Sequence, residues 1–481
     1  MSADAVVVGT GPNGLAAAIT LARAGLSVQV YEAADEIGGG LRSTALFRSD
    51  IRHDICSAVH PMAVASPFFR RFDLAARGVE LLLPEIGYAH PLSGGRAGLA
   101  YTDLDRTCEH LGPDGPAWRS LMEPLLSHSR GLVDFMLSSQ RGVPADPIGV
   151  ALLGLRLLRH GTPLAARQFA GEEAAALLAG VAAHVIGRMP TPASAAVGLL
   201  LGHLAHEPGW RLPRGGSWRI AEAMAADITA HGGKITTGQR ITDIRALRDA
   251  KLVLLDVGAK EFLAIAGPLL PSGYRRSLRS FRYGPGAAKV DYLVSEPIPW
   301  TNPLVGRAGT IHLGGTQRDV FRGENSVVRG VATAEPFVLV VDPAAVDPTR
   351  ARGGQRPVWA YAHVPNGDTT DPTDLVTAQI ERYAPGFTDT VLARRSVSAA
   401  ELERYNPNYV GGDIAAGAMT LKQTFLRPAP RWDPHRTPLH GVYLCSASTP
   451  PGPGVHGMCG YLAAVSALRR ECGIRVAHPL G

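Results

Sequence analysis

Cysteine is scarce in this 481-residue chain: Cys56, Cys108, Cys445, Cys459 and Cys472 are the only ones, and no two form a Cys-x-x-Cys or Cys-x4-Cys pair. A dithiol that cycles through a disulfide needs two sulfurs within reach of each other, so no local disulfide-reductase motif is present. Lysine is nearly absent, at five of the 48 basic residues, and arginine therefore carries the formal charge of +6. No dense basic run interleaved with aromatics occurs, which argues against a nucleic-acid tract. The arginine excess is either a compositional bias or a mild positive field toward an anionic membrane surface or acidic substrate. No stretch of eighteen consecutive apolar residues exists, so no spanning helix is expected. The first strand is read from about residue 4, which leaves no room for a secretory leader, and a cytoplasmic location is the expectation. No metal site is expected either. With 46% hydrophobic and 19% charged residues, the remainder is ordinary for a globular protein.

One pattern is complete. An apolar strand, Asp4-Ala5-Val6-Val7-Val8, runs into Gly9-Thr10-Gly11-Pro12-Asn13-Gly14, then an Ala-rich helix, then a second strand ending in Glu32, eighteen residues after Gly14. In this context GxGxxG predicts a dinucleotide-binding βαβ unit. Gly9 permits the tight turn, Gly11 lets backbone approach a pyrophosphate, and Gly14 lets the helix lie close on the sheet. Pro12 and Asn13 open the helix, whose N-terminus offers N–H groups to phosphate. Glu32 suits ribose hydroxyls and would repel a 2′-phosphate, favouring FAD or NAD over NADP. No second such fingerprint appears; Gly306 to Gly315 has glycines without the spacing. Fast flavin reduction by NADH or NADPH is therefore not expected.

Directly after this unit stand Gly38, Gly39, Gly40 and Arg42, bare backbone plus a guanidinium suited to a second pass along a phosphate chain. The run Asp35 to Ser43 resembles the GG motif of the two-dinucleotide-binding-domain flavoproteins, a superfamily that includes amine oxidases, phytoene desaturases and carotenoid isomerases. Near the other end, the strand Gly441 to Cys445 and the loop Ser446 to Gly460 resemble the C-terminal flavin loop of the phytoene desaturase group. The resemblance implies FAD as cofactor, with Ser446, Gly454 and Val455 beside it and an adenine contact near Ile241. It also implies a last helix whose N-terminus points at the flavin ring. Ser446 and Leu462 depart from the glycine and polar residue expected there. Further segments, among them Asp54 to Pro61, Pro213 to Ser217, Phe281 to Gly286 and Tyr405 to Asn408, resemble a branch named for a pyridine nucleotide-disulfide oxidoreductase domain.

Because the cofactor pieces lie at both termini, the expected fold is α/β, with a discontinuous Rossmann-type FAD-binding domain (1–75, 212–270 and 428–481). An α+β substrate domain (76–211 and 271–427) completes it. Segment 76–211 reads as mostly helical. Gly232 to Ile235 and Ile241 to Ile244 read as short strands, as do Ala288 to Val294 and Phe337 to Val341 in the substrate sheet. Asp342 to Pro357 and Arg427 to Gly441 read as connectors. The apolar segments Ile148 to Leu158 and Ala174 to Leu204 read as a buried helical cap or as helices lying shallowly on a bilayer.

A flavin held in this way takes a hydride on N5 and leaves C=C, C=N or C=O in the substrate. His60 and His456 are candidates for an accompanying base, and each reads equally as a loop brace. Tyr461 could orient a polar group, Asp54 could support His60 or hold a turn, and Cys459 is near the ring or a buried inert thiol. The favoured activity is oxidation, meaning desaturation or dehydrogenation of a largely apolar small molecule, with oxygen, a quinone or a carrier protein receiving electrons. Two alternatives stand beside it: non-redox isomerisation or cyclisation by reduced FAD, and an FAD-holding interaction protein without turnover.

Overall fold

The computed structural model describes residues 3–476. Two sheets organise it. The first has five parallel strands in the order Val442–Leu444, Leu252–Leu255, Ala5–Val8, Val28–Tyr31 and Lys234–Thr236. Ala5–Val8 is buried throughout, because its side chains enter apolar layers on both faces. One layer holds the helices Pro12–Arg23, Trp218–Ala230 and Met458–Glu471; the other holds Ala259–Ala266 and Ser272–Arg279. Parallel strands covered on both faces are the usual consequence of βαβ crossovers.

Helix Pro12–Arg23 starts where the sequence says it should. Gly11 is the N-cap, Pro12 occupies the first turn, and Asn13 to Ala22 are all buried. Its small residues let Met458–Glu471 approach to backbone contact: a Cβ on Gly460 would overlap the Asn13 carbonyl oxygen and lie 2.7 Å from the Asn13 carbonyl carbon.

The second sheet has seven strands in the order Val391–Val397, Gly286–Val294, Arg356–Val364, Val338–Val341, Ala308–Leu313, Ile86–Pro91 and Ala97–Tyr101. All its pairs are antiparallel except Ala308–Leu313 with Ile86–Pro91. Six helices between Leu104 and His206 pack over one end, and Glu172–Ala182 and Pro192–His206 are the most deeply buried of them.

Segment 76–211 is mostly helical, and within it Ile86–Pro91 and Ala97–Tyr101 form an edge of the substrate sheet. Both strands are buried at every position, so they show no period of two that would mark them as strands. Ile241 to Ile244 is not a strand: Asp243 accepts from Arg245 N–H at 2.9 Å and caps a 3-10 turn, Ile244–Leu247. The strand the sheet uses there is Leu252–Leu255, beside Ala5–Val8.

Candidate active site

One continuous cavity of about 730 Å³ runs from the glycine turn to the substrate sheet. Its dinucleotide end is built from glycine geometry. Gly9 takes φ +100°, and a Cβ on Gly39 would lie 3.0 Å from Gly11 Cα, so the two glycine runs face each other with no side chain between. Gly9, Gly11, Pro12, Asn13, Gly39 and Gly40 line the cavity. Gly14 and Gly38 stand behind that wall. A Cβ on Gly14 would collide with the Gly9 carbonyl, while Gly38 takes φ +110° and donates its N–H to the Thr10 carbonyl at 3.1 Å. Asn13 Oδ1 is buried with no partner among the described residues, so a hydroxyl-bearing ligand suits it.

Glu32 and Arg42 are both in the wall, and each is engaged more heavily by the chain than the motif suggests. Glu32 accepts from Thr10 N–H at 2.9 Å, the Thr10 hydroxyl at 2.5 Å, Ala34 N–H at 3.0 Å and Arg42 at 3.1 Å. Arg42, expected on a phosphate chain, pairs with Glu32 and donates to the Glu36 carbonyl at 2.9 Å. Two opposite charges buried side by side neutralise one another, and the cradle is left with backbone N–H groups as its main anion donors.

Further along, Ile241, Ser446, Gly454 and Val455 line the same cavity. Ser446 donates to the Val257 carbonyl at 2.8 Å, tying the C-terminal loop to the chain just past strand Leu252–Leu255. Segments from both termini and the middle of the chain therefore converge on one tunnel.

The candidate bases part company. His60 lines the cavity and its Nε2 lies 2.8 Å from Ser217 Oγ. That hydroxyl donates its single proton to the Ser57 carbonyl at 2.6 Å, so it accepts from His60 Nε2–H and leaves Nδ1 as the unprotonated nitrogen. Burial brings the His60 pKa down to about 4, and the ring is neutral at pH 7. His456 is a loop brace: Nε2 meets the Gly452 carbonyl at 3.1 Å, Nδ1 accepts from Met458 N–H at 3.0 Å, and neither nitrogen remains for a substrate. Tyr461 is also removed from the candidates, because it lies outside the cavity wall and its hydroxyl accepts from Arg71 at 3.2 Å. Asp54 reaches His60 only through Ser217, whose N–H it accepts at 3.0 Å. Cys459 is a buried thiol that burial pushes up to about 12, and its S–H points at the Thr449 and Gly452 carbonyls.

Two features of the cavity have no signature in the sequence. Asp256, directly after Leu252–Leu255, lines the phosphate end and accepts from Gly14 N–H at 3.0 Å. At the substrate end, His184 lines the wall with its Nε2 2.9 Å from His312 Nε2. Behind it, His90 bonds the Gly315 carbonyl at 2.8 Å, and His90 Nδ1 and His312 Nδ1 both crowd the face of Gly180. Burial holds His184 down to about 3 and His90 down to about 4, and both rings are neutral; His363, whose Nδ1 meets Glu324 Oε1 at 2.7 Å, adds to the lowering at His184. Residues 90, 184 and 312 are too far apart in the chain for any spacing rule to join them.

A glycine cradle at a helix N-terminus, an acid after the second strand and a tunnel leading onto a separate sheet define an FAD-dependent oxidoreductase. The chain belongs to the flavin containing amine oxidoreductase family, whose model matches residues 13–458. It is 26% identical to pyridine nucleotide-disulfide oxidoreductase domain-containing protein 2 of Rattus norvegicus, over 96% of this chain and 92% of that protein. It is 23% identical to a limonene dehydrogenase component of Castellaniella defragrans, over 98% of this chain and 95% of that one. A solved oxidoreductase from Methanosarcina mazei shares the fold with a TM-score of 0.63 at 16% identity, covering 97% of this chain and all of its own.

Proposed function

We propose that the protein dehydrogenates a lipophilic small molecule. The observation that carries this reading is the chemistry of the substrate end. Its wall is made largely of side chains such as Val59, Ile186, Leu200, Trp210, Leu339 and Trp359, with His60, His184, Thr310 and Tyr361 among its polar groups. The acids lining the cavity, Glu32, Asp256 and Glu261, belong to the dinucleotide-binding elements, and Glu261 already pairs with Arg240 at 2.7 Å. An alkylammonium substrate seeks a carboxylate or an aromatic cage; among the described residues no carboxylate lines this end, and Trp359 and Tyr361 stack on one another at 5.8 Å, so the missing carboxylate carries the reading. The name limonene dehydrogenase on one relative points the same way. Bound FAD supplies the hydride acceptor, N5, and the substrate gains a double bond as it loses hydride and proton. The chain excludes water with its apolar wall, and His60 Nδ1 offers an acceptor to a departing proton. Oxygen, a quinone or a carrier protein takes the electrons onward.

Anaerobic mixing of the FAD-loaded protein with limonene and other lipophiles tests this. Bleaching of the oxidised flavin by a lipophile is the expected result, with no fast bleaching by putrescine, NADH or NADPH. Rapid bleaching by the amine would overturn the substrate class, and rapid bleaching by a nicotinamide would overturn the choice of acceptors. Product formed without net flavin reduction, and only after the flavin has been reduced beforehand, would favour isomerisation.

Substrate entry supports a peripheral membrane contact. No helix among the described residues is long and apolar enough to cross a membrane. Leu153, Leu157, Leu421 and Phe425 line the tunnel, and around them Ile148, Leu155, Leu158 and Trp432 are exposed, Trp432 by 83%. Arg156 and Arg159 lie on the same helix, Pro147–His160. Apolar side chains flanked by arginines at a tunnel mouth suit an anionic bilayer surface. Co-sedimentation with phosphatidylglycerol vesicles should pellet the protein, and Leu155→Glu with Leu158→Glu should release it. Protein left wholly in the supernatant would sink this contact.

A further inference from the structure

The phosphate cradle holds a carboxyl group that the glycine fingerprint does not account for. Asp256 lines the cavity beside Gly9, Gly11 and Glu32. Its Oδ2 accepts the Gly14 N–H at 3.0 Å, and a Cβ built on Gly11 would lie 2.7 Å from that same oxygen. The carboxyl therefore stands over the glycine whose bareness lets a pyrophosphate approach, at the positive end of the first helix.

Among the described residues, its neighbours supply no cation. Glu32 faces it from the end of the second strand, and Cys445 and Cys459 face it from the C-terminal segment. Asn408 touches only its backbone carbonyl, at 3.4 Å. Arg42 is held on Glu32 at 3.1 Å, and Arg427 lies beyond Cys459, bonded to the carbonyls of Ala447 and Gly417. An ionised Asp256 would stand against the pyrophosphate with no free cation beside it, because Arg42 is already paired with Glu32. A protonated one is a hydrogen-bond donor in a site that needs donors.

We propose that Asp256 binds the FAD pyrophosphate as a neutral carboxylic acid, donating its proton to a phosphate oxygen while still accepting the Gly14 N–H, so that FAD binding takes up a proton. The balance is simple: carboxylate, proton and FAD combine to give the carboxylic acid hydrogen-bonded to bound FAD, with no covalent change. Burial, opposed by the Gly14 N–H and reinforced by Glu32, raises the Asp256 pKa to about 7, so the linkage falls at accessible pH. Below that value the acid is already protonated and affinity is flat. Above it, each pH unit weakens FAD binding by roughly tenfold until the pKa of the bound form is reached. Other groups near the cofactor hold one state across this range: His60 and His456 sit near 4 and are neutral, and Cys459 sits near 12 and is a thiol.

This inference rests on FAD as the cofactor and not on the substrate. The full-length protein, freed of cofactor, is titrated with FAD between about pH 6 and 9, and calorimetry in two buffers of different ionisation enthalpy counts protons. The expected result is a Kd rising with pH above 7 and an uptake approaching one proton per FAD. Asp256→Asn, a neutral donor of the same shape, should bind FAD with no pH slope and more tightly than the wild type at pH 9. A wild-type Kd independent of pH, or no proton uptake, overturns the proposal, as does a variant that keeps the wild-type slope. If the variant fails to fold, the wild-type proton count decides alone. A protein that binds no FAD at any pH would overturn the cofactor assignment as well, whereas tight, pH-independent binding overturns only the role of Asp256.

Discussion

Alanine at Gly14 or Gly460 is expected to yield a protein that purifies without its flavin colour. At Gly14 the new methyl would enter the Gly9 carbonyl oxygen and come 3.0 Å from its carbon and 3.1 Å from Asp256 Cβ. At Gly460 it would enter the Asn13 carbonyl oxygen and come 2.9 Å from Ala17 N. Neither obstacle is the far end of a flexible side chain, so relief requires moving the first helix off the turn or off the last helix. Overpacking of this kind costs about 1–3 kcal/mol or more. Spread over a domain of this size that is a fall in Tm of several degrees, at roughly 2–4 °C per kcal/mol. The loss of FAD should be larger than the loss of stability, because the displaced N–H groups are the ones that meet phosphate. Gly273→Ala is the control: it lies in helix Ser272–Arg279 with nothing within 4 Å of a new Cβ, so it should keep both flavin and Tm. Flavin absorbance per protein and a melting curve measure the pair. Full cofactor content with an unchanged Tm in Gly14→Ala would show that the close approach of turn and helix is not required.

What could be read in advance was what the chain settles locally. Gly9 to Glu32 is a strand, a turn, a helix and a strand within about thirty residues, and each step has its own residue chemistry, so the FAD seat was visible from sequence. Lys234–Thr236 and Val442–Leu444 were recognisable from flanking turns and apolar runs. Leu252–Leu255 was not, although it lies between two of those strands: four consecutive buried residues carry no period, and only the neighbours Ala5–Val8 and Val442–Leu444 make them a strand. Asp256 was missed with it. His456 and Tyr461 were placed correctly in the loop and helix, but the direction of a side chain depends on nearby acceptors. The Gly452 carbonyl turns His456 inward, and Arg71 draws Tyr461 outward. The cluster of His90, His184 and His312 depends on three segments meeting at Gly180, which is tertiary information.

Removing Arg350 should be strongly destabilising. Its Nη1 donates to Asp54 Oδ2 at 2.9 Å and its Nη2 to the Arg52 carbonyl at 2.8 Å, and both charged side chains are almost wholly buried. Asp54 also accepts from Ser43 Oγ at 2.5 Å and Ser217 N–H at 3.0 Å, so the pair anchors the serine that orients His60. Arg350→Ala leaves a buried carboxylate without its counter-charge, which costs about 3–5 kcal/mol. A fall in Tm on the order of 10 °C follows from the usual conversion. Burial by itself raises the Asp54 pKa; Arg350, with Ser43 and Ser217, reverses that and holds it below the ordinary 3.8. In the wild type the resulting stability is present above the unfolded pKa and lost only as pH falls through the lower, folded one. In Arg350→Ala the burial effect is left opposed only by the two serines, and the folded pKa should rise above the unfolded value. A group of that kind gains stability on acidification, because the folded state then binds the proton more tightly. The gap in Tm between wild type and variant should therefore narrow as pH is lowered from about 7 toward 5. Asp54→Asn combined with Arg350→Met removes both charges and should recover much of the loss, since a buried pair replaced as a unit is often neutral. A gap that stays constant with pH, together with a double variant as unstable as the single one, would mean that Arg350 acts through packing and its bond to the Arg52 carbonyl. The charge of Asp54 would then carry little of the effect.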